Sequence, residues 1–83
     1  RKFFDEDYFD NLNHLEKSKY LDSIGKLLSN KNNDSLTRSE YLSIAEEFYY
    51  LSLNEKSYEY SQKSLNLSRA AKDSALLAKS YYY

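Results

Sequence analysis

Between residues 36 and 51 the large apolar residues recur at intervals of three to five: Leu36, Tyr41, Ile44, Ala45, Phe48 and Leu51. That spacing places them on one face of a helix. A more mixed stripe runs beside it through Ser39, Leu42, Glu46 and Tyr49. The pattern stops near Ser52-Leu53, and Asn54 is expected to cap the helix that follows, Glu55 to about Ala71. This second helix carries a stripe of small residues, Ser57, Ser61, Ser64 and Ser68, flanked by Tyr58, Tyr60, Leu65 and Leu67. A small stripe lets a neighbouring helix come close, and each serine hydroxyl can bond back to a carbonyl one turn earlier. Tyr41 to Leu67 therefore reads as two helices joined by a tight turn, a unit that needs neighbours to complete its burial.

Upstream, Tyr20, Leu21, Ile24, Leu27 and Leu28 form one face of a helix over His14–Ser29. Asn13 followed by Glu16 has the form of a capping box at its start. A helix continuous through Asn11–Asn13 is the alternative, because Tyr8, Leu12 and Leu15 also keep helical spacing. Gly25 lies beside the apolar face. A glycine there costs about 1 kcal/mol against alanine, so close approach of another helix is the expected reason for it. The run Asn30-Lys31-Asn32-Asn33 ends this helix, asparagine being tolerant of the left-handed conformation that closes helices. Asp34 or Ser35 is expected to cap the next one, with Thr37 and Glu40 as a competing box. Phe3, Phe4, Tyr8 and Phe9 are too many rings for a loose tail, so part of the first ten residues should pack. The chain begins at Arg1 and breaks off at Tyr81-Tyr82-Tyr83 in mid-pattern, and so reads as a piece of a longer protein.

Composition narrows the class. One glycine and no proline in 83 residues suit long helices rather than short strands and turns. Without cysteine there is no disulfide or thiolate metal site. No apolar run approaches the roughly 20 residues of a membrane span, so no membrane insertion is expected of this chain. The net charge is −1, with lysines and acids interleaved and no basic stripe, so no nucleic-acid contact is expected either. The compartment stays open, a periplasmic sensor region and the cytoplasm both being allowed.

Two breaks read alike: Asn33-Asp34-Ser35-Leu36, and Lys72-Asp73-Ser74-Ala75-Leu76. Leu36 and Tyr41 stand 40 residues before Leu76 and Tyr81, and Tyr20, Ile24 and Leu27 stand 40 before Tyr60, Ser64 and Leu67. A helical unit recurring at a fixed period points to a solenoid. The residues at this point resemble a tetratricopeptide repeat (TPR). Its first helix carries an aromatic, a large, a small and a second aromatic residue, where Tyr41, Ile44, Ala45 and Phe48 stand. Its second helix carries small residues at Ser57 and Ser64, followed by leucines at Leu65 and Leu67. The string from Glu55 to Asp73 looks like the lengthened repeats in sensory regions of bacterial histidine kinases and helix-turn-helix regulators. The chain departs from the motif in having Ser52-Leu53-Asn54 for the usual glycine turn, serines for alanines, and Arg69 where shorter repeats end in proline.

The resemblance implies an all-α fold of four or five helices, stacked antiparallel as a TPR-like α-solenoid. Residues 1–33 would be a partial first repeat, 34–73 a complete one, and 74–83 the truncated first helix of the next. Packing would fall to Tyr41, Ile44, Ala45, Phe48, Ser57, Ser61, Ser64 and Leu65. First helices line the concave groove in this family, so Ser39, Leu42, Ser43, Glu46 and Tyr49 would face a protein or peptide. Family members that grip a terminal carboxylate use lysine and asparagine at such positions. Serine and glutamate stand here, so that activity is not implied. Asp34–Leu53 holds four acids and one base, net −3, whereas Asn54–Lys72 holds four bases and two acids, net +2. An acidic groove would favour basic or neutral partners, and plain support between adjacent helices is an equal reading of the same charges.

Catalytic chemistry finds little footing. His14 is the single histidine, and with no cysteine it makes a poor metal set. Asp5-Glu6-Asp7 and Glu46-Glu47 lack the glycine-bearing loop that calcium sites need, and read as solvated helix faces. One glycine cannot build a phosphate loop or a nucleophile elbow. The expectation is a signal-transduction scaffold for protein–protein interaction, not an enzyme and without cofactors. A spacer or dimerisation segment using Tyr81–Tyr83 and the Phe3-Phe4 end is one alternative, with self-association through exposed repeat ends. A helical accessory to an enzyme whose active site lies elsewhere is another.

Overall fold

The computed structural model describes residues 5–71, which form four helices: α1 (Glu6–Asp10), α2 (His14–Leu28), α3 (Ser35–Tyr50) and α4 (Asn54–Ala71). No strand occurs among the described residues. The all-helical expectation holds over this span. Phe3, Phe4, the Lys72-Asp73-Ser74 break, the helix expected after it and Tyr81–Tyr83 lie outside the described residues.

Each helix boundary has a local cause. Asn13 opens α2, its side chain accepting from the Glu16 N–H while Glu16 accepts from the Asn13 N–H, 2.9 and 3.1 Å. The helix is therefore interrupted at Asn11–Asn13 rather than continuous. Asp34 caps α3 by accepting from the Thr37 N–H at 2.8 Å, so it prevails over Ser35 and over the box at Thr37. That charge-assisted bond holds the Asp34 carboxyl below the usual carboxylate range. The end of α2 differs from expectation. No asparagine of 30–33 is left-handed; the chain leaves the helix through bonds of three-residue span, Asn30 to Leu27 and Lys31 to Leu28. Positive φ occurs instead at Ser52, at 61°. There the Leu53 N–H reaches the Phe48 carbonyl and the Ser52 N–H that of Tyr49, both at 3.0 Å. This is a Schellman closure with serine in the glycine position. Asn54 proves to be the first residue of α4 rather than its cap, the Leu53 carbonyl accepting from the Ser57 N–H.

The core lies where α3 meets α4 on one side and α2 on the other. Phe9, Leu21, Leu28, Tyr41, Ile44, Ala45, Phe48 and Tyr60 form one cluster, with Tyr20, Ile24, Leu51, Leu53 and Leu67 packed on it. The serine stripe of α4 is the seam of the α3–α4 hairpin, and all four serines are buried. Two of them bond across it rather than back along their own helix. Ser57 Oγ donates to the Ala45 carbonyl at 2.8 Å and Ser64 Oγ to that of Arg38 at 3.1 Å. Small side chains thus let α3 approach, and their hydroxyls use carbonyl lone pairs that would otherwise face an apolar wall.

The 40-residue spacing of the sequence reappears in the structure. α1 ends at Asp10 and α3 at Tyr50; α2 begins at His14 and α4 at Asn54. The buried residues of α2, Leu21, Gly25 and Leu28, stand 40 before Ser61, Leu65 and Ser68, all buried in α4. Ring contacts repeat as well: Tyr8 meets Tyr20 at 5.4 Å and Phe48 meets Tyr60 at 5.5 Å between centroids.

Candidate functional site

The residues assigned to packing, Tyr41, Ile44, Ala45, Phe48, Ser57, Ser61, Ser64 and Leu65, are all buried. Those assigned to a groove divide. Leu42 is buried at 6 % exposure, Ser39, Ser43 and Glu46 are half-buried, and Tyr49 is exposed at 54 %. Helical geometry turns this stripe away from the Tyr41–Ile44–Phe48 face that meets α2 and α4. Tyr49 stands near the C-terminal end of α3 with its ring edge-on to Tyr50 at 6.0 Å, and Tyr50 is also exposed. Two amphipathic rings side by side form an exposed contact surface at this end of α3.

A second surface lies between α2 and α4. Asp22, Gly25 and Lys26 of α2, its C-cap Ser29, and Lys56, Glu59, Tyr60 and Lys63 of α4 line an open cleft of about 420 Å³. Its floor is Tyr60, only 3 % exposed, whose ring stacks on Phe48 and on Tyr41. The Tyr60 hydroxyl donates to Asp22 Oδ1 at 2.9 Å. Lys56 approaches the same carboxylate, its ammonium 3.2 Å from Oδ2. Burial, then the Asp22 carboxylate, pushes the Tyr60 hydroxyl above the usual phenol range; burial alone does so for Tyr41. The Lys63 ammonium sits over the Tyr60 ring at 4.8 Å and over Tyr41 at 5.9 Å. Among the described residues neither Lys26 nor Lys63 makes an ion pair.

Sequence reasoning missed this second surface, because Asp22 lies 34 residues from Lys56 and 38 from Tyr60. The 40-residue period was the one signal that set α2 beside α4. Two further links were also hidden. Asn33 accepts from the buried Arg38 guanidinium at 2.9 Å and donates to the Leu67 carbonyl at 3.2 Å, tying the start of α3 to the end of α4. His14, which the sequence placed at a helix end, bonds the Leu51 carbonyl through Nε2 at 2.8 Å. Among the described residues no three side chains of the histidine, cysteine or acidic types come together as a metal cluster, and no helix is long and apolar enough to cross a membrane. Comparison of the chain with protein-family models, curated proteins and solved structures finds no match.

Proposed function

We propose that this chain is a TPR-like repeat scaffold that binds a protein or peptide segment along α3, within a larger bacterial signalling protein. The observation that carries the reading is the 40-residue recurrence of the junctions: α1 to α2 and α3 to α4 turn through the same three-residue gap at equivalent positions. A unit that recurs in this way stacks, and stacking leaves one edge of each first helix available to a ligand. On α3 that edge ends in Tyr49 and Tyr50, and tyrosine gives large contact area for little lost side-chain freedom. Glu46, half-buried in the same stripe, favours a basic or neutral segment.

Peptides selected from a random display library against the 83-residue chain supply the test. Tyr49→Ala should weaken the selected peptides by about thirtyfold, as a central aromatic anchor does, with the urea midpoint unchanged. Peptides that bind Tyr49→Ala as tightly as the parent chain, or a library that yields none, would overturn the reading. Exposed Tyr8 and Leu15, at 55 and 63 %, favour a spacer as the second reading. A spacer would instead self-associate, and would dissociate on Tyr8→Ser.

A further inference from the structure

The α2–α4 cleft holds more positive charge than its own acids use. Lys26, Lys56 and Lys63 face Asp22 and Glu59 across it, three cations to two anions. The distribution is more uneven than that count. Asp22 is already engaged twice, by Lys56 and by the Tyr60 hydroxyl. Glu59 is one helical turn from Lys63, the favourable order for an ion pair. Lys63 nevertheless lies over the two tyrosine rings, 4.8 and 5.9 Å from their centroids. Among the described residues two ammonium groups are thus left without a carboxylate in a cleft of about 420 Å³, the size of a small-molecule site. One of them is held by ring faces on the Phe48–Tyr60–Tyr41 stack.

We propose that this cleft binds a doubly charged oxyanion, a phosphate monoester or a paired carboxylate, between Lys26 and Lys63, with Lys56 at its edge. Lysine suits such a ligand as a point charge whose three donors adapt to the oxygens it meets. The Tyr60 hydroxyl stays committed to Asp22, which keeps that carboxylate turned toward Tyr60 and Lys56. α2 with its C-cap Ser29, and α4, supply all the wall residues, so this site is separate from the α3 edge carrying Tyr49, and either can fail without the other.

The test uses the 83-residue chain, with inorganic phosphate and malonate as probes at constant ionic strength. Phosphate at about ten times its dissociation constant should raise the melting temperature by roughly 8 °C. Backbone amide NMR signals of Gly25, Lys26, Ser29 and Lys63 should shift saturably. Both effects should vanish in Lys26→Gln/Lys63→Gln and persist in Lys31→Gln, a loop lysine outside the cleft. Excluded salts stabilise any folded chain, so only the increment lost in the double variant counts. A response to phosphate above malonate would name a phosphoryl ligand, and the reverse paired carboxylates. No saturable response to either, or an increment unchanged in the double variant, would overturn the proposal.

Discussion

Gly25 and Tyr60 compete for one space: a methyl group at Gly25 would stand 2.6 Å from Tyr60 Cε1 and 2.8 Å from Cζ. The glycine is therefore a socket for a ring on another helix. Such a contact is relieved cheaply when the intruding atom is the end of a free side chain. Here the ring is clamped, stacked on Phe48 at 5.5 Å and on Tyr41 at 6.2 Å. Gly25→Ala should gain about 1 kcal/mol of helix propensity and lose more to overpacking, which costs roughly 1–3 kcal/mol. The expected net result is a loss of up to about 2 kcal/mol in urea unfolding. In a Tyr60→Leu background the same substitution should be neutral or stabilising, since the double-mutant cycle removes the shared contact. A Gly25→Ala protein as stable as the parent would mean that the ring moves aside freely.

The position of Gly25 beside an apolar face was legible in the sequence, and so was a reason for it in close helix approach. Its partner was not. Helical periodicity reports which residues share a face, whereas which ring enters which socket depends on how two helices are set against each other in three dimensions. The same limit separates the serine stripe, read as a seam for close approach, from its hydroxyls: Ser57 and Ser64 bond across the seam to Ala45 and Arg38, and Ser61 bonds back to Tyr58 of its own helix. The caps at Asn13 and Asp34 were readable because capping is local, a side chain meeting a backbone N–H three residues on. Burial of Leu42 and Glu47, and exposure of Leu27 and Leu36, went unread because each stands at an acceptable helical spacing. Neighbours distant in sequence decide which side of a broad face is covered.

Alkaline pH should unfold this chain through its buried tyrosines. Tyr60 is neutral in the folded protein, and its ionisation is displaced upward from the ordinary value of about 10 by burial and by the Asp22 carboxylate. Tyr41 is displaced the same way by burial. A group with a raised folded pKa contributes stability that is intact below its unfolded value and is lost as pH rises towards the folded one. The urea midpoint should therefore fall above about pH 10. Tyr60→Phe should cost about 1–2 kcal/mol at neutral pH, by removing a bond to a charged acceptor, and should flatten the alkaline decline, leaving Tyr41 as its remaining source. Parallel declines in both proteins would show that Tyr60 is not the group responsible.

Ser52 tests the turn between α3 and α4. Its φ of 61° places a residue with a Cβ in the left-handed region, in a Schellman closure that usually takes glycine. The left-handed conformation costs an ordinary residue roughly 1–2 kcal/mol, part of which glycine gives back through the larger freedom it loses on folding. Ser52 is exposed and its side chain makes no hydrogen bond among the described residues, so substitution acts chiefly on the backbone. Ser52→Gly should raise stability by about 0.5–1 kcal/mol. Ser52→Val should lower it, because a branched Cβ is least tolerant of this region. The two hydrogen bonds that close the turn, Leu53 to Phe48 and Ser52 to Tyr49, should persist in the glycine protein and show as slowed amide exchange at residues 52 and 53. Equal stability of the glycine and valine proteins would show that the turn does not depend on this conformation, and that packing between α3 and α4 holds the hairpin.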